Sequence, residues 1–320
     1  MRRAYRGLKD PSTTHRLICV NRRTLALIML AVAAALFGMT FVAVKDALAT
    51  IPPLSFVGWR FLIGAVVLLL LAIPKGRAAF PKGTSLWIDG AIAGGILFAG
   101  YAAQTIGLEE TSATNSGLIT GLYVVFTPLL ASMFARSRLA PSTVLGASLS
   151  VAGLAFLTVS DSFSLSSGDL WTLACAIAFA FHIVALARMA PRHNVVAFTA
   201  VQLLVTAMAA LALSWVFEEA GWPPREAWLT LALTAVVVTC GAFLTQVWAQ
   251  TIVGPSRTAI MLALEPLFAV ITAALVLGER LTARGWAGAL MMMVGTYVVL
   301  VFAPPEDADI RTAEALSEAH

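Results

Sequence analysis

Charge is what this sequence has least of. Only 12% of its residues are charged, against 59% hydrophobic, and a soluble domain carries about 25% charged residues. That excludes a globular enzyme with a single anchor and leaves a polytopic all-α membrane protein. Cysteine is scarcer still. Cys19, Cys175 and Cys240 are scattered, with no CxxC pair and no Cys/His cluster, which excludes a disulfide framework and a metal site. There is no P-loop, HExxH or GxSxG, hence no machinery for ATP use or hydrolysis, and no cofactor is expected. The 10 methionines, Met291-Met292-Met293 among them, read as packing.

What the chain has in quantity is apolar runs. Ten follow one another, at about 25–44, 54–73, 86–107, 112–135, 143–159, 169–187, 196–217, 227–248, 257–277 and 284–302. Most reach the roughly 20 residues that a helix needs to span a bilayer; the fifth is short. Turn chemistry separates them: Ile51-Pro52-Pro53, Pro74-Lys75-Gly76, Gly221-Trp222-Pro223-Pro224, Gly254-Pro255. Residues 1–23 form a basic stretch that reads as a cytoplasmic tail, unlike a cleaved signal peptide. Nucleic-acid binding is a poor reading of it, because it abuts a span. Residues 303–320 are acidic and expected to be disordered. Basic residues set the orientation. With the N-terminus inside, only Lys45, Arg225, Arg280 and Arg284 fall in outer loops. Both termini are then cytoplasmic, in a multi-pass protein of the plasma (inner) membrane.

The chain repeats itself at an offset of 142 residues. Gln104 falls on Gln246, Phe37 on Phe179, Phe126 on Phe268, Gly146 on Gly288 and Gly153 on Gly295. Arg138-Leu139 falls on Arg280-Leu281. Chance pairs of Ala or Leu are expected in apolar sequence; paired Gln, Arg and Gly at one offset are not. The repeats cover 24–160 and 168–302, five spans each. Five is odd, so the second copy enters the membrane upside down. The expected fold is therefore ten transmembrane helices in two inverted five-helix repeats. Such symmetry is an architecture of secondary transporters, which place their site near the midplane between the halves.

Several motifs carry a resemblance. They are Trp59-Arg60-Phe61, Thr111-Ser112-Ala113, Gly121-Leu122-Tyr123-Val124-Val125 with Pro128, Ser256-Arg257, Glu265-Pro266 and Gly278-Glu279-Arg280-Leu281. With the glycine pattern of the fifth and tenth spans, the sequence resembles the drug/metabolite transporter superfamily in its EamA-type, ten-span branch, over about residues 25–302. The first repeat departs from the pattern, with Arg136-Ser137-Arg138 opposite Gly278-Glu279-Arg280. The resemblance implies movement of small metabolites, commonly amino acids or related compounds, and export is the expected direction. It leaves the substrate open, and monomer and homodimer are both compatible with it. A membrane enzyme on a lipid-linked substrate and a passive channel are the alternatives.

Glu265 is the leading site candidate. It sits eight residues beyond Arg257, about 12 Å along a helix, inside a hydrocarbon core of about 30 Å. An intramembrane acid is a functional hypothesis by default. It could take a proton or a cationic group of the substrate, or only lock packing. Pro266 interrupts the helical hydrogen bonds beside it. The offset mate of Glu265 is Tyr123, so the halves differ here. Gln104 and Gln246 come next. Tyr101 and Gln104 share a helical face with Leu97 and Leu108; Phe243 and Gln246 share one with Thr239 and Gln250. Such faces can line a cavity, or the amides can bond between helices. Arg60 could contact an anionic group, snorkel outward or pair with Asp46. His182 reads more readily as a satisfied core residue than a proton relay. Asn115 could face the cavity or cap its helix, Trp248 reads as a belt anchor, and Gly90/Gly94 and Gly117/Gly121 as close helix contacts.

Overall fold

In hydrocarbon a backbone must satisfy its own polar groups, so each apolar run folds as helix. The computed structural model describes residues 11–78, 80, 84–135, 140–158, 166–218, 221–253, 258 and 261–302. The basic residues 1–10, Arg136-Ser137-Arg138, Ser256-Arg257 and the acidic stretch 303–320 lie outside the described residues. In chain order the helices are α1 (Pro11–Ala47), α2 (Pro53–Ala72), α3 (Ser85–Glu110), α4 (Ala113–Thr120), α5 (Tyr123–Ala135), α6 (Pro141–Thr158), α7 (Ser167–Met189), α8 (Val195–Phe217), α9 (Ala227–Leu233), α10 (Phe243–Val253), α11 (Glu265–Thr272) and α12 (Ala283–Phe302). Helix α1 begins at Pro11, so it reaches into the basic stretch read above as a tail.

Seven stretches are long and apolar enough to cross a membrane among the described residues; Val144–Gly153 and Glu265–Leu277 are shorter apolar helices. The protein is thus an all-α, multi-span membrane protein. Two of the expected spans are interrupted. One breaks between α4 and α5, at Gly121-Leu122, and the other breaks at Ala263-Leu264, just before α11. These two breaks stand 142 residues apart. Two π-helical segments add to the irregularity, Thr234–Ala242 between α9 and α10, and Ala273–Leu277 after α11. Gly278, at φ 67°, ends the latter in the left-handed region that favours glycine.

Helix pairing follows the same offset. α2 packs on α8, and α6 on α12. α3 packs on α7, while α1 packs on the α10 region. α11 lies against α1 and α4. The α6–α12 contact is reciprocal at glycine. A Cβ on Gly153 would lie 2.6 Å from the Gly288 carbonyl oxygen, and one on Gly295 would lie 2.5 Å from that of Gly146. Small residues that let backbones meet are the usual solution where lipid removes the hydrophobic drive between helices. Gly90 and Gly94 likewise face Val201 and Gln202 of α8, and Gly117 faces Ala269.

Helix ends are closed by side chains from distant spans. Glu218 accepts the Leu54 and Ser55 N–H groups at 2.7 and 2.9 Å, capping α2. Glu279 accepts those of Ala113 and Thr114 at 3.1 and 2.9 Å, capping α4. Ser112, not Asn115, is the N-cap of α4, and Asn115 supplies the N–H that Ser112 accepts. Lys45 Nζ donates to the carbonyls of Leu108 (2.6 Å) and Thr111 (2.8 Å) at the end of α3. At the other end of α3, Asp89 pairs with His193 at 2.7 Å. Removing a helix cap costs about 0.5–2 kcal/mol. We therefore expect Glu279→Gln to lower the thermal midpoint of the detergent-purified protein, with Glu226→Gln, which caps nothing by its side chain, as the unchanged control.

Candidate functional site

The two helix breaks place the site. Pro266 has no N–H to give the carbonyl of Leu262, four residues back. That freed oxygen lies 3.0 Å from the hydroxyl of Tyr123, which also lies 3.0 Å from Glu265 Oε2. The hydroxyl has one proton, so it serves one acceptor at a time. Tyr123 opens α5 and Glu265 opens α11, each the first helical residue after its break. The crossing is close enough that a Cβ on Gly121 would clash with the Pro266 ring.

Aromatic rings surround this pair. Phe37 and Phe243 meet edge to face at 5.2 Å, and Tyr101 and Phe179 at 5.1 Å. Under the offset Phe37 corresponds to Phe179 and Tyr101 to Phe243, so each contact is the counterpart of the other. Two cavities flank the rings. The first is lined by Tyr101, Tyr123, Phe179, His182, Phe243, Gln246 and Glu265 among others. The second is lined by Thr40, Phe41, Arg60, Tyr101, Gln104 and Glu265 among others. Phe37, Tyr101 and Glu265 border both. All seven candidate residues named from the sequence, Glu265, Gln104, Gln246, Tyr101, Phe243, Tyr123 and Arg60, therefore line one cavity or the other.

Their partners differ from some expectations. Arg60 neither snorkels nor pairs with Asp46. It is 3% exposed, donates from Nε to Thr239 Oγ1 at 2.6 Å, and lies 5.5 Å from the Tyr101 ring centroid. The π-helical segment presents Thr239 for this contact. Gln104 reaches Thr120 Oγ1 at a long 3.4 Å. His182 Nε2 meets Gln202 Oε1 at 2.9 Å while its ring lines the first cavity. Gln250 donates to the Ile183 carbonyl at 3.1 Å. Trp248 borders a separate cleft beside Asn194 and Val196 at the start of α8. The sequence reading had not marked Thr40, or Phe37 and Phe179 as more than repeat markers. A signal was there: Thr40 and His182 are offset mates, each three residues beyond one of those phenylalanines.

A buried acid, a buried base and amides around a cavity between broken helices define a polytopic protein with a polar site inside the membrane. The chain belongs to the EamA-like transporter family, which it matches twice, over residues 24–159 and 166–301, and so to the drug/metabolite transporter superfamily. It is 30% identical over 282 residues to an uncharacterized transporter of Archaeoglobus fulgidus, covering 87% of this chain and 86% of that one. It is 28% identical over 292 residues to the uncharacterized transporter YvbV of Bacillus subtilis, covering 87% and 92%. A probable amino-acid metabolite efflux pump of Salmonella typhimurium is 26% identical over 281 residues, covering 82% and 90%. One solved crystal structure superposes with a TM-score of 0.66 at 21% identity, covering 88% of this chain and 98% of that chain, which is a likeness of fold. The protein is a secondary membrane transporter of small solutes, not an enzyme.

Tyr123→Phe should remove the one donor that the Glu265 carboxyl group and the Leu262 carbonyl share. A buried acceptor left unpaired costs about 1–3 kcal/mol. The expected result is a lowered thermal midpoint, against no change for Tyr297→Phe, whose ring is exposed.

Proposed function

We propose that the protein is an exporter of small metabolites, such as amino acids or related compounds, in the plasma membrane. It works by alternating access between two inverted five-helix repeats, with Glu265 as the residue that couples transport to protons. The observation that carries the reading is the position of Glu265. It is 7% exposed, opens a half-helix at a break, and borders both cavities. A group that touches both sides of the aromatic layer can be reached from either.

The inverted arrangement is supported by everything that recurs at 142 residues: the two breaks, the two edge-to-face ring pairs and the reciprocal glycines. Discontinuous helices meeting near the midplane are the usual place for substrate and coupling ion in such folds. Export of an amino-acid compound is favoured by the Salmonella relative's description as an efflux pump. Cytoplasmic termini follow from the placement of Lys and Arg. Each cavity is lined from both repeats of one chain, so a monomer suffices for the cycle. Protons and cargo then share one carboxylate, and release of one admits the other.

The test is flux in proteoliposomes with and without an imposed pH gradient. The wild type is expected to accumulate substrate against its gradient when protons run the other way, and to show saturation and counterflow. Glu265→Gln should exchange substrate without responding to the proton gradient. Unchanged gradient-driven flux in that variant removes Glu265 from coupling, and unsaturable flux without counterflow identifies a channel. A reporter fused to either terminus should report the cytoplasmic side.

A further inference from the structure

The two cavities correspond under the offset, but their charge does not. Thr40 stands opposite His182, and Arg60 stands opposite Gln202. On the α7–α8 side the two polar side chains pair with each other, His182 Nε2 on Gln202 Oε1 at 2.9 Å, and Gln202 Nε2 is left without a partner. On the α1–α2 side a guanidinium is buried with no such companion. Arg60 spends only Nε, on Thr239. Among the described residues no carboxylate lies within ion-pair distance of it, and its two terminal nitrogens have no protein hydrogen-bond partner. The Tyr101 ring borders the charge without neutralising it. Arg60 and Glu265 thus face one cavity, with Gln104 beside them, and do not touch. Glu265 itself uses only Oε2, on Tyr123.

We infer that the terminal nitrogens of Arg60 bind a carboxylate on the cargo, and that the cargo is a small zwitterion with an apolar or aromatic body. This rests on the transporter reading above and narrows it. A planar guanidinium presents two parallel donors that match a carboxylate. The separated acid takes the ammonium group. The rings of Phe37, Tyr101, Phe179 and Phe243 offer an apolar wall, with edges and faces for an aromatic side chain. A simple amine leaves Arg60 uncompensated, and a simple acid leaves Glu265 without its cation. The charge asymmetry also orients the cargo, carboxylate toward α2 and body toward α7.

The experiment uses full-length purified protein and three probe sets on shared skeletons. These are the apolar and aromatic L-α-amino acids, the corresponding deaminated acids such as 3-phenylpropanoate, and the decarboxylated amines such as 2-phenylethylamine. At millimolar concentration at least one amino acid should raise the thermal midpoint by roughly 2–4 °C, and its acid and amine should not. Arg60→Gln should abolish that shift, and Arg60→Lys should retain a smaller one. The inference is overturned if no amino acid stabilises the wild type. It is equally overturned if an acid or amine matches its parent, or if Arg60→Gln keeps the shift. The wild-type probe comparison decides the matter even where a variant fails to fold. Proteoliposome flux from a mixed metabolite extract separates the two claims. Flux without amino-acid binding sinks this inference alone, and absence of any flux sinks the transporter reading.

Discussion

A helix broken inside hydrocarbon exposes backbone groups that no water can satisfy, and this structure is arranged around two such breaks. At the second, Pro266 frees the Leu262 carbonyl. Its new donor is the hydroxyl of Tyr123, which stands at the first residue beyond the other break. One span's irregularity is therefore satisfied by the other's. The consequence is geometric. Tyr123 and Glu265 cannot sit elsewhere without leaving a buried carbonyl unpaired, at a cost of about 1–3 kcal/mol. Gly121 allows the approach, since any side chain there would meet the Pro266 ring.

Around that fixed point the molecule buries an acid and a guanidinium that packing alone does not explain. A buried ion left without a partner is destabilising by about 3–5 kcal/mol relative to a paired one. The protein lessens this without eliminating it. Thr239 takes one N–H of Arg60, Tyr101 lends its ring, and Glu265 shares the Tyr123 hydroxyl with the Leu262 carbonyl. A well-packed core would have used leucine at both positions. Retaining an acid and a base, near each other but apart, makes the resting cavity a worse solvent for itself than for a molecule that carries both signs.

Much of this was legible in the sequence, for a physical reason. Spans in lipid are long and uniform, so any polar residue within one is conspicuous. Glu265, Gln104, Gln246 and Arg60 stood out on that ground alone. The offset then added Tyr101, Phe243 and Tyr123. What could not be read was pairing between residues far apart in the chain. Asp46 was the nearest acid to Arg60 in sequence, yet Thr239 is the partner, 179 positions away. Glu218 and Glu279, too, cap helices of other spans. The seven clearly apolar long helices among the described residues are fewer than the ten runs, since the described apolar stretches Val144–Gly153 and Glu265–Leu277 are short. The break itself was anticipated at Pro266, but its counterpart at Gly121-Leu122 had no proline to announce it.

The contact between Tyr123 and Glu265 has one more implication, for the history of the chain. Tyr123 lies in the first family match and Glu265 in the second. One repeat alone holds one member of the pair and never both. Two identical half-length chains assembled head to tail would set tyrosine against tyrosine, or carboxylate against carboxylate. The first arrangement has no charge to use, and the second is repulsive in a medium without water. An unlike pair at the centre requires two unlike halves, and two diverged repeats within one chain supply them.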